Sequence, residues 1–118
     1  MKLELPFPDK ILWPNGRGHH MAKHRANVKH KAWAHFAVQE QGINIPPELA
    51  TADTIRLVAT FHPKTANKID KDNASASLKA YQDGIASALG CDDRIFAEPV
   101  ILFAAPVKGG KVVIEVFS

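Results

Sequence analysis

Cysteine occurs once in this chain, at Cys91, which excludes an intramolecular disulfide and points to a reducing cytoplasm. Cys91 itself precedes Asp92, has no activating base in sight, and reads as a packing residue rather than a nucleophile. No apolar run approaches the length a membrane span requires, and the N-terminal Met-Lys-Leu-Glu-Leu-Pro-Phe-Pro lacks the continuous apolar core of a signal peptide, so a soluble protein is expected. Repeats, low-complexity tracts and an interdomain linker are also missing. With 118 residues, 46% of them hydrophobic and 23% charged, the chain reads as one small domain with one core. The most telling shortage is local. From Lys10 to Lys31 there is no Asp or Glu against six Lys or Arg, an imbalance that the net charge of +3 conceals. His19, His20, His24 and His30 fall in the same stretch and add charge below about pH 6.5. Such a basic arm suits a phosphate-contacting surface whose binding weakens steeply with salt; the plainer alternative is a solvated loop and helix face.

Hydrophobic patterning divides the rest into short elements. Residues 2–7 alternate as a strand, and residues 8–26, with Pro8, Pro14, Gly16 and Gly18, read as a long irregular basic loop. A helix is expected over 27–41, its apolar face marked by Val28, Ala32, His35, Phe36 and Gln39 and broadened by Trp33 and Val38. Ile55, Leu57, Ala59 and Phe61 alternate with polar neighbours in a strand over 54–62. Ala74, Leu78, Tyr81, Ile85, Ala88 and Leu89 repeat at helical spacing over 73–89, before Gly90. The apolar run 94–107 and the alternating 112–117 flank Lys108-Gly109-Gly110-Lys111 and are expected to form a hairpin. The order β-α-β-α-β-β predicts an α+β domain, a short mixed sheet with two main helices on one face.

The chemistry-bearing residues cluster around the second helix. Asp70, Asp72 and Asn73 stand at its mouth, and Asp92-Asp93 follow its end. Two carboxylates at i and i+2 can converge on a hard cation, and Mg²⁺ takes one or two protein carboxylates while water and phosphate oxygens complete its octahedron. Lys64, Lys68, Lys71 and Lys79 are interleaved with the acids, a field that attracts a polyanion to such an ion. The competing explanation is a helix N-cap, with Asp72 in the capping position and Asp70 one residue too early. A helix over 73–89 is about 24 Å long, and the residues after it return Asp93 by only about 10 Å, so one chain is not expected to join Asp70, Asp72 and Asp93 around one ion. Two copies packed antiparallel through this helix about a two-fold axis would make two equivalent sites. Lys79 lies seven residues beyond Asp72, nearly on the same helix face, and Asp83 follows at i+4. Arg17, Lys23, Arg25, Lys68 and Lys71 are the candidate phosphate contacts to DNA.

At these positions the chain resembles the RusA family of Holliday-junction resolvases, common in phages and prophages. The resemblance rests on Ile69-Asp70-Lys71-Asp72-Asn73, Leu78-Lys79-Ala80-Tyr81-Gln82-Asp83-Gly84-Ile85 and Asp92-Asp93, with Pro14-Asn15 and the C-terminal Lys-Gly-Gly, and spans nearly the whole chain. It implies a homodimeric, Mg²⁺-dependent endodeoxyribonuclease, with Mn²⁺ as a substitute, that cuts four-way DNA junctions by paired nicks in a bacterial or phage-infected cell. It also implies Asp70, Asp72 and Asp93 as the essential metal-holding acids, Asp93 matching the second position of the family's acidic pair. Lys79 is implied as a base or phosphate contact; Asn73, Asp83 and Asp92 are candidate supporting residues, and by spacing alone Lys79 and Asp83 suit a simple surface ion pair as well. Ala74-Ser75-Ala76 looks like a three-residue insertion relative to compact members, which shifts the phase between Asp72 and Lys79 by about 60° if wholly helical. Two rival readings stand beside this one: a noncatalytic DNA-binding module, and a nuclease of flaps or other branched DNA with the same site.

Overall fold

Side chains of a strand alternate between its two faces, and in the segment Ile55–Phe61 the alternation is complete. Ile55, Leu57, Ala59 and Phe61 are fully buried, while Val58 and Thr60 between them are partly exposed. In the computed structural model, which describes residues 1–14, 20–66 and 69–118, this segment supplies β2 (Arg56–His62). With it lie β1 (Lys2–Leu5), β3 (Val100–Phe103) and β4 (Lys111–Phe117), in the sheet order β1-β4-β2-β3. Strand β4 runs antiparallel to β1 and β2, whereas β3 runs parallel to β2, so the sheet is mixed. Its inner face is built of rows. Leu3 lies opposite Ile114, Ile114 opposite Ala59, and Ala59 opposite Ile101. Helices α1 (His20–Gln41) and α2 (Lys71–Leu89) set Ala34, Val38, Leu78, Tyr81 and Ile85 into the same core. The result is the small α+β domain expected from the element order. Among the described residues no helix is long and apolar enough to cross a membrane.

Three expectations are corrected. Strands β3 and β4 do not form a hairpin, because β2 lies between them. Helix α2 is the crossover that parallel strands require, so β3 occupies one edge of β2 and leaves β4 the other. The connecting loop passes over the end of β2, where the Ala104 N–H donates to the Phe61 carbonyl and the Val107 N–H to that of Pro63. The glycine pair does turn the chain, with φ of +80° and +70°, but delivers it to the far side of β2. Second, α1 begins at His20 rather than residue 27. Within the expected loop of 8–26, Lys10–Leu12 form a short 3₁₀ turn and residues 20–26 are helical.

Third, of the stripe expected on α1 only Val38 is fully buried. Ala26, His30, Ala34 and Val38 point inward, while Val28 and Phe36 are 55% and 59% exposed. The reason lies in α2. A Cβ placed on Gly84 would overlap the Lys31 carbonyl oxygen and come within 2.9 Å of the Ala34 Cβ, so the two backbones approach more closely than large side chains permit. At this crossing the small Ala34 faces α2, while Val28 and Phe36 lie on the exposed side.

His30, expected among the charge-bearing histidines, is fully buried. The Asp9 N–H donates to its Nε2 (3.3 Å), and the Tyr81 hydroxyl donates to the Pro6 carbonyl (2.6 Å). The His30 proton therefore sits on Nδ1 and is donated to the Tyr81 oxygen 2.9 Å away. Burial holds the imidazole below its usual pKa of 6.5, against the pull of the Asp9 carboxylate.

Two outcomes follow. Gly84→Ala removes about 1 kcal/mol of helix-propensity penalty, yet it drives a methyl group into immobile backbone. A net loss of about 1–3 kcal/mol in unfolding free energy is expected from urea titration. For His30, the unfolded chain holds more protons than the folded one below pH 6.5. Stability is therefore full above pH 6.5 and falls as the pH drops from there to the lower folded pKa, by at most about 1.4 kcal/mol per pH unit from this group. Urea midpoints measured between pH 7.5 and 5 check the direction; a midpoint independent of pH would contradict a neutral buried imidazole.

Candidate functional site

The start of α2 is set by Asp70. Its backbone is extended, and its carboxylate accepts the Asn73 N–H (2.8 Å) and the Asn73 side-chain amide (3.4 Å). The cap is therefore Asp70, not Asp72, because the helix begins at Lys71, earlier than its apolar periodicity indicates. Asp72 stands exposed in the first turn, where a negative charge complements the helix dipole. Among the described residues no hydrogen bond or ion pair engages the Asp72 carboxylate.

The helix runs without interruption through Ala74-Ser75-Ala76. At about 100° per residue, Lys79 falls within about 20° of the line through Asp72, and Asp83 continues the line. The Lys79 ammonium donates to Asp83 Oδ1 (2.8 Å) and to Asp93 Oδ2 (3.0 Å). Asp93 opens a 3₁₀ turn, Asp93–Ile95, that folds back beside α2, so one chain unites residues fourteen apart in sequence. The return stops at the level of Lys79, about 10 Å along the axis from Asp72. Among the described residues no three or more His, Cys, Asp or Glu side chains form a group able to hold a metal ion.

Neighbours give each charge a distinct character. Asp92 Oδ1 accepts the Arg94 N–H (2.9 Å), and Oδ2 receives its guanidinium at 3.1 and 2.9 Å. The guanidinium bond, aided by the backbone N–H, draws the Asp92 pKa down to about 2. Asp92 is thus committed to Arg94, leaving Asp93 as the acid turned toward Lys79. Donating hydrogen bonds to Asp83 first and Asp93 second raises the Lys79 pKa above its usual 10.5. A lysine so held is an ammonium at neutral pH, suited to a phosphate contact and not to proton abstraction. Burial pushes the Cys91 thiol up, as befits a packing residue.

Of the expected DNA contacts, Lys23 and Arg25 lie in the first turns of α1 and Lys71 is exposed at the start of α2. Arg17 and Lys68 lie outside the described residues. Two other cations of the basic arm lie over aromatic rings, Lys10 over Trp13 (5.6 Å) and Lys29 over Trp33 (5.1 Å). Lys29 also pairs with Asp9 at 2.8 Å and is the main cause of that carboxyl's lowered pKa.

One feature has no counterpart in the sequence reading. A cleft of about 530 Å³ opens between the segment after β1 and the loop from β2 to α2, lined among others by Phe7, Lys10, Trp13, Lys64 and Ile69. Its walls meet only through tertiary folding, and of its lining only Lys64 stood out in the sequence, as one of the lysines near the acids.

No model of a known protein family matches the chain. Over 117 residues the chain is 34% identical to an uncharacterized protein of Xylella fastidiosa (strain Temecula1), covering 97% of this chain and 74% of that protein. The chain belongs to that protein's family.

The Arg94 contact is open to a direct check. Carboxyl titration by NMR is expected to find Asp92 near pH 2, and Arg94→Ala to return it toward 3.8. Unchanged titration in the variant would show that the guanidinium does not hold Asp92.

Proposed function

We propose that the chain is a Mg²⁺-dependent, structure-selective endodeoxyribonuclease that resolves four-way DNA junctions by paired nicks in the cytoplasm of a bacterial or phage-infected cell. The observation that carries this reading is the acid–lysine assembly on α2. Asp93 is folded onto Lys79, Asp72 stands exposed on the same helical line, and Asp70 is held beside it by Asn73. The resemblance of these residues to the RusA family supports the same reading.

The donor set suits a hard cation. Asp70 and Asp72 offer carboxylate oxygens, and Mg²⁺ needs only one or two of these when phosphate and water supply the rest. Mn²⁺ accepts the same donors. When bound, the ion would polarise the scissile phosphate and ease ionisation of the attacking water. Asn73 orients Asp70, Asp93 and Asp83 aim the Lys79 ammonium, and that ammonium offsets charge on the phosphate. Lys23, Arg25 and Lys71 hold the DNA backbone without reading sequence. Two copies paired antiparallel along the polar line of α2 would bring each Asp70–Asp72 end to the other copy's Asp93, giving one site per cut strand. The same site would also serve a flap or other branched-DNA nuclease, which differs only in substrate shape.

A second reading has its own observation. Asp70 already caps α2 and Asp93 already pairs with Lys79, an arrangement equally suited to a noncatalytic DNA-binding module whose acids serve only the fold.

A labelled synthetic four-way junction, with matched duplex as control, separates the two in Mg²⁺ and in EDTA. Symmetric nicks in the junction alone, abolished by EDTA, are expected. Asp72→Asn is expected to slow cleavage by more than about 100-fold while junction binding survives. Tight binding with no cleavage in either Mg²⁺ or Mn²⁺ would select the binding module.

A further inference from the structure

The cleft beside Asp70 has the composition of a nucleotide pocket. Its walls come from Phe7, Lys10 and Trp13 after β1 and from Lys64 and Ile69 before α2, and Ile69 immediately precedes the candidate acid Asp70. Phe7 is set edge-on against Phe61 of the core at 5.8 Å, and Trp13 packs partly against that core, so both rings are held in place. Lys10 lies over the Trp13 ring and Lys64 stands across the cleft. The acidic lining residue, Asp9, is paired with Lys29 at 2.8 Å, so the cleft keeps a positive balance from Lys10 and Lys64. The Trp13 Nε1 atom, in the same wall, is buried with no hydrogen-bond partner among the described residues.

We infer that this cleft receives a single unpaired nucleotide of the DNA, its base against Trp13 and Phe7 and its phosphate between Lys10 and Lys64. The chemistry favours this occupant over its parts. Aromatic side chains stack any base, whereas a bare phosphate leaves the aromatic walls unused. A fully apolar ligand leaves two lysines to be desolvated without partners. A volume of about 530 Å³ is in the range of pockets that accept small organic ligands. The inference rests on the nuclease reading and deepens it. A base drawn out of the stack beside Asp70 anchors the branch point next to the acids, and duplex DNA, whose bases are paired, has none to give without unstacking.

The chain has two tryptophans, Trp13 and Trp33, so Trp33→Phe leaves Trp13 as the single reporter. Its emission is titrated in Ca²⁺ with a four-way junction, with the single strand (dT)₈ and with inorganic phosphate, and junction cleavage by the same protein is then followed in Mg²⁺. Quenching by the junction and by (dT)₈, but not by phosphate, is expected. Lys64→Ala in this background is expected to raise the half-quenching (dT)₈ concentration about tenfold. Junction cleaved with Trp13 emission unmoved overturns the inference and leaves the nuclease reading standing. Quenching by (dT)₈ with no junction cleavage keeps the nucleotide pocket and overturns the nuclease. Quenching by phosphate alone reduces the cleft to an anion site and overturns the inference.

Discussion

A neutral imidazole enclosed between two helices holds the working parts of this molecule in register. His30 accepts from the Asp9 backbone and donates to Tyr81, which in turn donates to Pro6, so one chain of hydrogen bonds ties the segment after β1 to α1 and α2. Each of these groups, left buried without its partner, would cost about 1–3 kcal/mol. The network is satisfied only when all three segments are in place, which makes it a specifier of the tertiary arrangement as well as a source of stability. The wall of the cleft that carries Phe7, Lys10 and Trp13 starts from this anchored segment, and so does the placement of the basic arm beside the start of α2.

The second constraint is the close approach of α1 and α2 at Gly84. It turns the small face of α1 inward and leaves Val28 and Phe36 outside. It also buries most of the α2 circumference, including Ala74, Ser77, Leu78, Tyr81 and Ile85. What remains on α2 for solvent is a narrow polar line, and Asp72, Lys79 and Asp83 occupy it. The charges of the candidate site are thus arranged by what the helix must bury.

Local rules carried the reading furthest where one face of an element decides its burial. Strict alternation in residues 55–61 and the 3–4 spacing in α2 located both elements, because each places a continuous apolar surface on one core. They failed where burial was set by fit rather than hydrophobicity. In α1, Val28 and Phe36 marked the wrong face, since a glycine on the neighbouring helix admits only the small Ala34 at the crossing. His30 reads as a surface charge in sequence because only a folded partner set satisfies a buried imidazole. Gly109 and Gly110 announce a turn, but no local signal reports that β2 has already claimed the position beside β3.

The sequence by itself determined which residues are candidates for chemistry, the acids around α2, Lys79 and the acid-free basic arm, since residue type and helical spacing are local properties. Tertiary structure alone decided how those groups are employed. Asp70 and not Asp72 became the cap, Asp92 went to Arg94, and Asp93 went to Lys79. Those choices depend on where a helix starts and how a turn folds back after it. The bonds of Asp70 and Asp92 are local once those ends are placed, whereas the Asp93–Lys79 bond spans fourteen residues, a separation that no periodicity encodes.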